Sequence, residues 1–243
     1  MIRSFIIRWV PPQVRTLMLN DLLLKFSFLY RTKFINYESQ LEKKNGIEDL
    51  LTKLNSVLDI EGDIIECGSY VCGTSAIIAS YLRSVGVNKK VYALDLFGGG
   101  FDLKELEGER QAGLTQAKDS AFTHTSYGYI KKKIEKLGFS DIIIPVRGFF
   151  RDTLPHIDSK FCLALIDCDL KKSITYCAES IWPKLSDKGV MLFDDYDYDL
   201  FRTFRGPRIA VDKFVNEHSN EISEHGFLNR LYYIEKKKMS KYM

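Results

Sequence analysis

The chain has 243 residues, 35 basic and 32 acidic residues with a formal net charge of +3, and a 45% apolar composition. These values predict one large folded domain and exclude a mainly disordered chain. The near balance of charge gives no support for a nucleic-acid partner. No run of 18 uncharged apolar residues occurs, so we expect no transmembrane segment.

The first 45 residues are predicted to form an N-terminal helical lid or dimerisation segment, and residues 46–243 the main domain. The start, from Met1 to Pro12, is basic and apolar but is interrupted by Arg8, which makes it a poor signal peptide. A lid or a homodimer contact is our preferred interpretation, and peripheral contact with an anionic membrane surface is the alternative. Apolar residues at helical spacing predict a long helix from Gln13 to Phe34.

Short apolar strands alternate with helices through the rest of the chain. The predicted helices are Gly46–Leu58, Thr74–Ser84, Tyr127–Leu137, Ser173–Trp182 and Pro207–Asn216. The predicted strands are Asp63–Cys67, Val91–Asp95, Ile142–Val146, Phe161–Ile166, Val190–Phe193 and Leu231–Ile234. Apolar strands connected through helices indicate an α/β fold with a doubly wound, mostly parallel sheet that is covered on both faces.

The five cysteines are an odd number and include no C-x-x-C pair. Three of them lie in or beside apolar runs, where a free thiol behaves as a small apolar side chain. We therefore expect buried, reduced thiols and a cytoplasmic protein.

Acidic residues occur repeatedly where predicted strands end. Glu66 and Asp95 end the first two strands, Asp167 and Asp169 follow the fourth, and the pair Asp194 and Asp195 follows the fifth. The ligand crevice of a doubly wound sheet lies outside the carboxyl ends of its strands. The pattern therefore predicts a functional site at this edge.

The segment from Glu66 to Ser75 forms a glycine-containing turn between a strand and a helix. It is neither a Walker loop, because Thr74 stands where lysine is required, nor a G-x-G-x-x-G fingerprint, because residue 70 is tyrosine. Gly68 would allow a tight turn beneath a ligand, and Gly73 would bring the helix close to the strand. With Asp95 placed to bind ribose hydroxyls, the segment indicates a nucleoside-containing cofactor.

Seven ordered segments resemble the macrocin O-methyltransferase (TylF/MycF-like) family of class I S-adenosylmethionine-dependent methyltransferases. The first is Gly62-Asp-Ile-Ile-Glu-Cys-Gly-Ser-Tyr-Val-Cys-Gly-Thr-Ser-Ala, similar to GDIVECGVWRGGSA. The others are Val91-Tyr-Ala-Leu-Asp-Leu-Phe-Gly, Gly148-Phe-Phe-Arg-Asp-Thr-Leu-Pro, Leu165-Ile-Asp-Cys-Asp-Leu, Trp182-Pro-Lys-Leu-Ser, Phe193-Asp-Asp-Tyr and Arg208-Ile-Ala-Val-Asp-Lys-Phe. The resemblance spans about Asn45 to His218 and implies a Rossmann-like fold and S-adenosylmethionine as cofactor.

Three loops depart from the family pattern. Tyr70-Val-Cys replaces Trp-Arg-Gly, Gly98-Gly-Gly-Phe replaces Glu-Gly-Leu-Pro, and Lys171-Lys172 replaces Tyr-Glu. Loops of this kind line the substrate pocket in the family, so the departures concern the acceptor more than the cofactor. By resemblance alone, the acceptor is a sugar hydroxyl on a small-molecule glycoside or a polysaccharide glycan.

We expect two groups of residues to form the site. The cofactor group is Glu66, Gly68, Ser69, Tyr70, Gly73, Thr74, Ser75, Asp95, Phe149, Phe150 and Asp167. The metal group is Asp167, Asp194 and Asp195, because converging carboxylates need a cation and oxygen ligands suit Mg²⁺ or another divalent cation. The resemblance implies the same three positions. Asp169 and Asp167 are the candidate catalytic residues, with Asp169 as the base that accepts a substrate proton.

Two alternative functions remain open from the sequence. Asp167-Cys-Asp169 after an apolar strand is also a D-x-D metal motif, which is typical of nucleotide-sugar-dependent glycosyltransferases. A non-catalytic S-adenosylmethionine-binding module is the second alternative, although the retention of all three candidate metal ligands argues against it.

Overall fold

The computed structural model describes residues 38–39, 41, 45–196 and 204–238. Seven strands form one sheet, and in chain order they are β1 Asp63–Cys67, β2 Val91–Asp95, β3 Ile143–Arg147, β4 Phe161–Ile166, β5 Leu185–Phe193, β6 Ile222–Phe227 and β7 Tyr232–Lys236. Their order across the sheet is β3-β2-β1-β4-β5-β7-β6. The first five strands are parallel, and β7 is antiparallel to both of its neighbours.

Within the described residues, seven α-helices lie between and around these strands. They are α1 Gly46–Ser56, α2 Gly73–Val85, α3 Leu103–Gln111, α4 Tyr127–Lys136, the short α5 Phe150–Thr153, α6 Lys171–Ile181 and α7 Gly206–Glu217. After β3 the chain crosses back to place β4 on the other side of β1. This reversal of direction creates a crevice outside the carboxyl ends of β1 and β4, where ligands bind in doubly wound folds.

Each central strand contributes alternate side chains to two separate cores. Ile64 packs with residues of α1, α2 and α4 on one face of the sheet. Ile65 packs with residues of α6 and α7 on the opposite face. Because successive strand residues point to opposite faces, a run of apolar residues is what a sheet covered on both sides requires. The predicted doubly wound α/β fold is confirmed.

Most predicted elements are present with small changes in their ends. The helix predicted to begin at Ser173 begins at Lys171, and the strand predicted to begin at Val190 begins at Leu185. Neither α3 nor β6 was predicted. The sequence of α3, LKELEGERQ, has little apolar periodicity and buries only Leu106 and Glu109, whereas β6 is an edge strand with largely exposed residues.

The predicted N-terminal helix from Gln13 to Phe34 lies outside the described residues, as does most of the predicted segment 1–45. The five cysteines are free and buried, in agreement with the sequence-based expectation. Within the described ranges, no helix is long and apolar enough to cross a bilayer.

Candidate active site

The register of the parallel strands aligns the acidic strand ends across one edge of the sheet. Cys67 of β1 lies beside Leu94 of β2 and Ile166 of β4, and Ile166 lies beside Phe193 of β5. The ladder continues one residue further, because the Asp167 amide donates to the Cys67 carbonyl at 2.8 Å. The Asp194 amide donates to the Ile166 carbonyl at 3.1 Å. Gly68, Asp167 and Asp194 therefore follow one another along the edge.

Gly68 occupies a position that no other residue could take without moving the chain. Its φ is +95°, and a Cβ added there would lie 1.7 Å from the carbonyl oxygen of Asp167. Its amide donates to the Leu94 carbonyl at 2.9 Å, which closes the turn after β1. The glycine thus lets the loop after β1, residues 68–74, pass directly against the segment that carries Asp167. Because the sequence predicts that this loop binds the cofactor, it is called the cofactor loop below.

Glu66 is a buried carboxyl that stabilises the turn and the start of α2. The Ser75 hydroxyl donates to its side chain, and the Ser69 hydroxyl donates to its backbone carbonyl at 3.3 Å. Burial raises the pKa of Glu66 to about 7, and the Ser75 hydrogen bond lowers it by less. Thr74, in the first turn of α2, shares a 2.9 Å hydrogen bond with Ser39.

Asp95 holds two loops through their backbones. Its Oδ2 accepts from the Tyr70 amide at 3.0 Å, and its Oδ1 accepts from the Phe97 amide at 2.7 Å. Tyr70 and Phe97 have φ values of 43° and 47°, in the left-handed region that most residues avoid. Burial raises the pKa of Asp95. The carboxylate therefore fixes the loops after β1 and β2 while still facing the cavity.

The side chains of Asp167, Asp194 and Asp195 converge. One carboxylate oxygen from each lies within 4.8 Å of the other two. Burial raises the pKa of Asp167 well above its usual range, and the negative charge of Asp194 adds to this effect. Burial also raises the pKa of Asp195 to about 6. Such a cluster is electrostatically costly unless protons or cations neutralise it.

Asp169 lies beside this cluster and shares a hydrogen bond with Asp195. Burial, followed by the charge of Asp195, raises the pKa of Asp169 well above its usual range. The shared bond requires a proton on one of the two carboxyls, because two ionised carboxylates offer only acceptors. The Asp169–Asp195 pair can therefore hold one shared proton at the edge of the acidic cluster.

Sequence reasoning missed Arg230, which lies in the turn between β6 and β7. Its Nε donates to Asp194 Oδ1 at 2.7 Å and its Nη2 to Asp194 Oδ2, forming a two-pronged salt bridge. The side chains are 17% and 3% exposed, respectively. Arg230 is 36 residues from Asp194, and no spacing in the sequence links the two positions.

The cofactor loop and the acidic cluster open into one cavity of about 700 Å³. Of the expected cofactor residues, only Ser75 does not line the cavity, because it lies behind Glu66. Those that line it are Glu66, Gly68, Ser69, Tyr70, Gly73, Thr74, Asp95, Phe149, Phe150 and Asp167. Asp169, Asp194 and Asp195 line the same cavity, together with Arg230. The structure thus brings the two predicted groups of site residues together.

One wall of the cavity comes from the segment that includes α3. The sequence analysis expected the loop Gly98–Phe101 to line the substrate pocket, but it did not predict the helix that follows. Phe101 contacts Phe122 edge to face, and Phe122 contacts Tyr70 of the cofactor loop in the same way. Glu105 accepts from the amide and the hydroxyl of Ser173, both at 2.7 Å, at the start of α6. These contacts join the segment to both sides of the cavity.

The model of the macrocin O-methyltransferase (TylF) family matches residues 43–225, about three quarters of the chain. This protein belongs to that family. A curated relative, 8-demethyl-8-(2,3-dimethoxy-alpha-L-rhamnosyl)-tetracenomycin-C 4'-O-methyltransferase from Streptomyces olivaceus, is 27% identical over 150 residues. The match covers 59% of this chain and 56% of the relative, so the chain spans little more than half the length of that relative.

Solved methyltransferase structures share the fold of this family member. The O-methyltransferase NovP superposes with a TM-score of 0.67 and 20% identity, covering 79% of both chains. The calicheamicin methyltransferase CalS11 gives a TM-score of 0.62 and 20% identity over 93% of both chains. A putative caffeoyl-CoA O-methyltransferase from Staphylococcus aureus gives 0.55 and 14% identity, covering 92% of this chain and 99% of its own.

Proposed function

We propose that this TylF-family protein is an S-adenosylmethionine-dependent, divalent-metal-dependent O-methyltransferase that acts on a hydroxyl of a sugar. The observation that carries the proposal is the convergence of Asp167, Asp194 and Asp195 within 4.8 Å beside the cofactor loop. A metal site and a cofactor loop on the same cavity allow an acceptor hydroxyl and a methyl donor to be positioned together, which is the main requirement of this reaction.

The residues around the loop fit an S-adenosyl nucleoside. The cavity volume of about 700 Å³ lies in the range of cofactor sites. Asp95 would bind the ribose, the loop from Gly68 to Thr74 the amino-acid end, and Phe149 and Phe150 the adenine. When bound, S-adenosylmethionine supplies the methyl group from its sulfonium.

The three aspartates also fit a hard divalent cation. Their ligands are all carboxylate oxygens, which Mg²⁺ prefers, and three ligands leave positions for water or substrate hydroxyls. When bound, the ion supplies a Lewis acid that lowers the pKa of a coordinated hydroxyl. Asp167 and Asp195 would be its most available ligands, because Arg230 already occupies both oxygens of Asp194.

Asp169 is the residue that we propose as the base. Its carboxylate would accept the proton of the acceptor hydroxyl, and its hydrogen bond to Asp195 orients it at the edge of the acidic cluster. Asp167 would contribute by holding the ion and by forming the floor beneath the cofactor.

A sugar acceptor is supported by the names of the relatives. The Streptomyces olivaceus protein is a 4'-O-methyltransferase of a rhamnosyl-tetracenomycin, and CalS11 is described as a TDP-rhamnose 3'-O-methyltransferase. Family membership favours methyl transfer over the glycosyltransferase alternative for Asp167 and Asp169. The homodimer, the glycan acceptor and the cytoplasmic location remain predictions.

The test compares Asp167→Asn with the surface variant Asp59→Asn. Methyl transfer from labelled S-adenosylmethionine to rhamnosides is measured with Mg²⁺ and with EDTA, and S-adenosylhomocysteine binding is measured by calorimetry. Loss of several kcal/mol of charge stabilisation should reduce turnover of Asp167→Asn by more than about 100-fold. Cofactor affinity should stay within about threefold of that of Asp59→Asn. Full activity of Asp167→Asn in EDTA would exclude the metal role.

A further inference from the structure

The salt bridge between Arg230 and Asp194 occupies the same acidic cluster that the proposed function assigns to a divalent ion. A carboxylate has about four lone-pair sites on its two oxygens, and the guanidinium fork uses one on each. Both residues are largely buried, with 17% of the Arg230 side chain and 3% of the Asp194 side chain exposed. The ion pair is therefore shielded from solvent and adds one permanent positive charge to the cluster.

The turn between β6 and β7 is held so that Arg230 reaches Asp194. Asp49, a buried residue of α1, accepts from the Asn229 side chain at 2.7 Å, from the Arg230 amide at 2.7 Å and from the Leu231 amide at 3.1 Å. Three hydrogen bonds to one buried carboxylate fix the backbone on both sides of the arginine.

A small residue at the start of α1 leaves room for the arginine side chain. A Cβ added to Gly46 would lie 2.8 Å from Cδ of Arg230, closer than real Cβ contacts. The side chain therefore runs against the helix before it reaches Asp194. Asp49 and Gly46 both belong to α1, so this helix determines the path of the guanidinium as well as the conformation of its turn.

We propose that Arg230 is a built-in counter-ion of the acidic cluster, which competes with the divalent ion for Asp194 and thereby limits its affinity. This inference rests on the proposed metal site. Nearby positive charges in a partly buried site repel strongly because solvent screens them little. Binding of an ion must therefore overcome the charge of Arg230 and share or displace its contacts with Asp194.

The experiment measures Mn²⁺ binding by electron paramagnetic resonance in the full-length protein and in Arg230→Met, which removes the charge and keeps a long side chain. Arg208→Met is the matched control, because Arg208 is an exposed residue of α7 whose ion pair is with Asp212. We expect the dissociation constant for Mn²⁺ to fall at least tenfold in Arg230→Met and to stay within twofold in Arg208→Met.

Equal or weaker Mn²⁺ binding by folded Arg230→Met would show that the arginine only orients Asp194, and it would overturn the inference. Urea unfolding of the metal-free proteins supplies a second measurement. Arg230→Met should unfold at a lower urea concentration than Arg208→Met, because buried Asp194 loses its counter-ion, and addition of Mn²⁺ should reverse more of that loss than it does in the control.

Asp49→Asn tests the same idea if Arg230→Met does not fold. The variant weakens the hydrogen bonds that fix the turn without removing the arginine, so the guanidinium is held less firmly on Asp194. We therefore expect Mn²⁺ to bind about two- to fivefold more tightly. An unchanged or lower affinity in folded Asp49→Asn would contradict the inference.

The wild-type protein separates this inference from the proposed function. Binding of Mn²⁺ by the wild type with no gain in the variants would overturn the inference alone. Binding by Arg230→Met but not by the wild type would support competition and contradict metal-dependent catalysis by the natural protein. Absence of binding in every variant would overturn both.

Discussion

Replacement of Gly68 by alanine would test whether the cofactor loop depends on its close approach to Asp167. The new Cβ would lie 1.7 Å from the Asp167 carbonyl oxygen, whereas real Cβ contacts stay beyond 3.0 Å. One of the two segments must therefore move by more than about 1 Å, the scale of shift that misplaces a catalytic group. The φ of +95° adds strain, because alanine disfavours positive φ.

The expected loss of stability in Gly68→Ala can be compared with the loss on substituting a second glycine at positive φ. Gly86, after α2, has a φ of +74°, and a Cβ added there meets nothing within 4 Å. Gly86→Ala should therefore lose only about 1–2 kcal/mol of unfolding free energy, which is the conformational cost of a positive φ for alanine. Gly68→Ala should lose the same amount and about 1–3 kcal/mol more for steric rearrangement. Its free energy of unfolding should therefore fall by about 2–5 kcal/mol in all.

Urea unfolding measures these free energies, and calorimetry measures the affinity for S-adenosylhomocysteine. We expect Gly68→Ala to bind the ligand at least tenfold more weakly, whereas Gly86→Ala should bind like the wild type. Equal losses of stability in the two variants, together with normal ligand affinity in Gly68→Ala, would refute the structural role assigned to Gly68.

Two further substitutions test buried carboxylates. Asp95→Asn replaces one of the oxygens that accept from the Tyr70 and Phe97 amides. It should weaken S-adenosylhomocysteine binding by about tenfold, equivalent to roughly 1.4 kcal/mol. Unchanged affinity by calorimetry would contradict this prediction. Burial raises the pKa of Glu109 from 4.5 to about 7, so its contribution to stability is present below about pH 4.5 and is lost as the pH rises through about 7. As the pH rises from about 5 to about 8, the free energy of unfolding of Glu109→Gln should therefore increase by roughly 1–3 kcal/mol relative to the wild type, measured by urea unfolding. The same pH dependence in the exposed variant Glu107→Gln would disprove this prediction.

The fold and the acidic edge of the sheet could be predicted because they depend on local patterns. The strand Phe161–Ile166 is apolar throughout and is buried throughout, as a central parallel strand requires. Asp167 and Asp194 directly follow adjacent strands, so the parallel register alone brings them together. The convergence of the carboxylates follows from sequence position once the strands are known to be neighbours.

Other parts of the site depend on contacts that have no local signal. Arg230 reaches Asp194 only because β7 inserts between β5 and β6 and because Asp49, distant in the chain, holds the turn. Helix α3 was missed because its face toward the protein contains little more than Leu106 and the buried carboxyl of Glu109. Tertiary packing, and not helical periodicity, determines its position.

The central claim is that Asp167, Asp194 and Asp195 bind one divalent ion beside the cofactor. A crystal structure of the protein with Mn²⁺ and S-adenosylhomocysteine tests it most directly through the anomalous scattering of manganese. The account predicts a single anomalous peak about 2.2 Å from an oxygen of Asp167 and of Asp195, bonded to Asp194 directly or through water. A fully occupied cofactor site with no anomalous peak among the three carboxylates would contradict the claim.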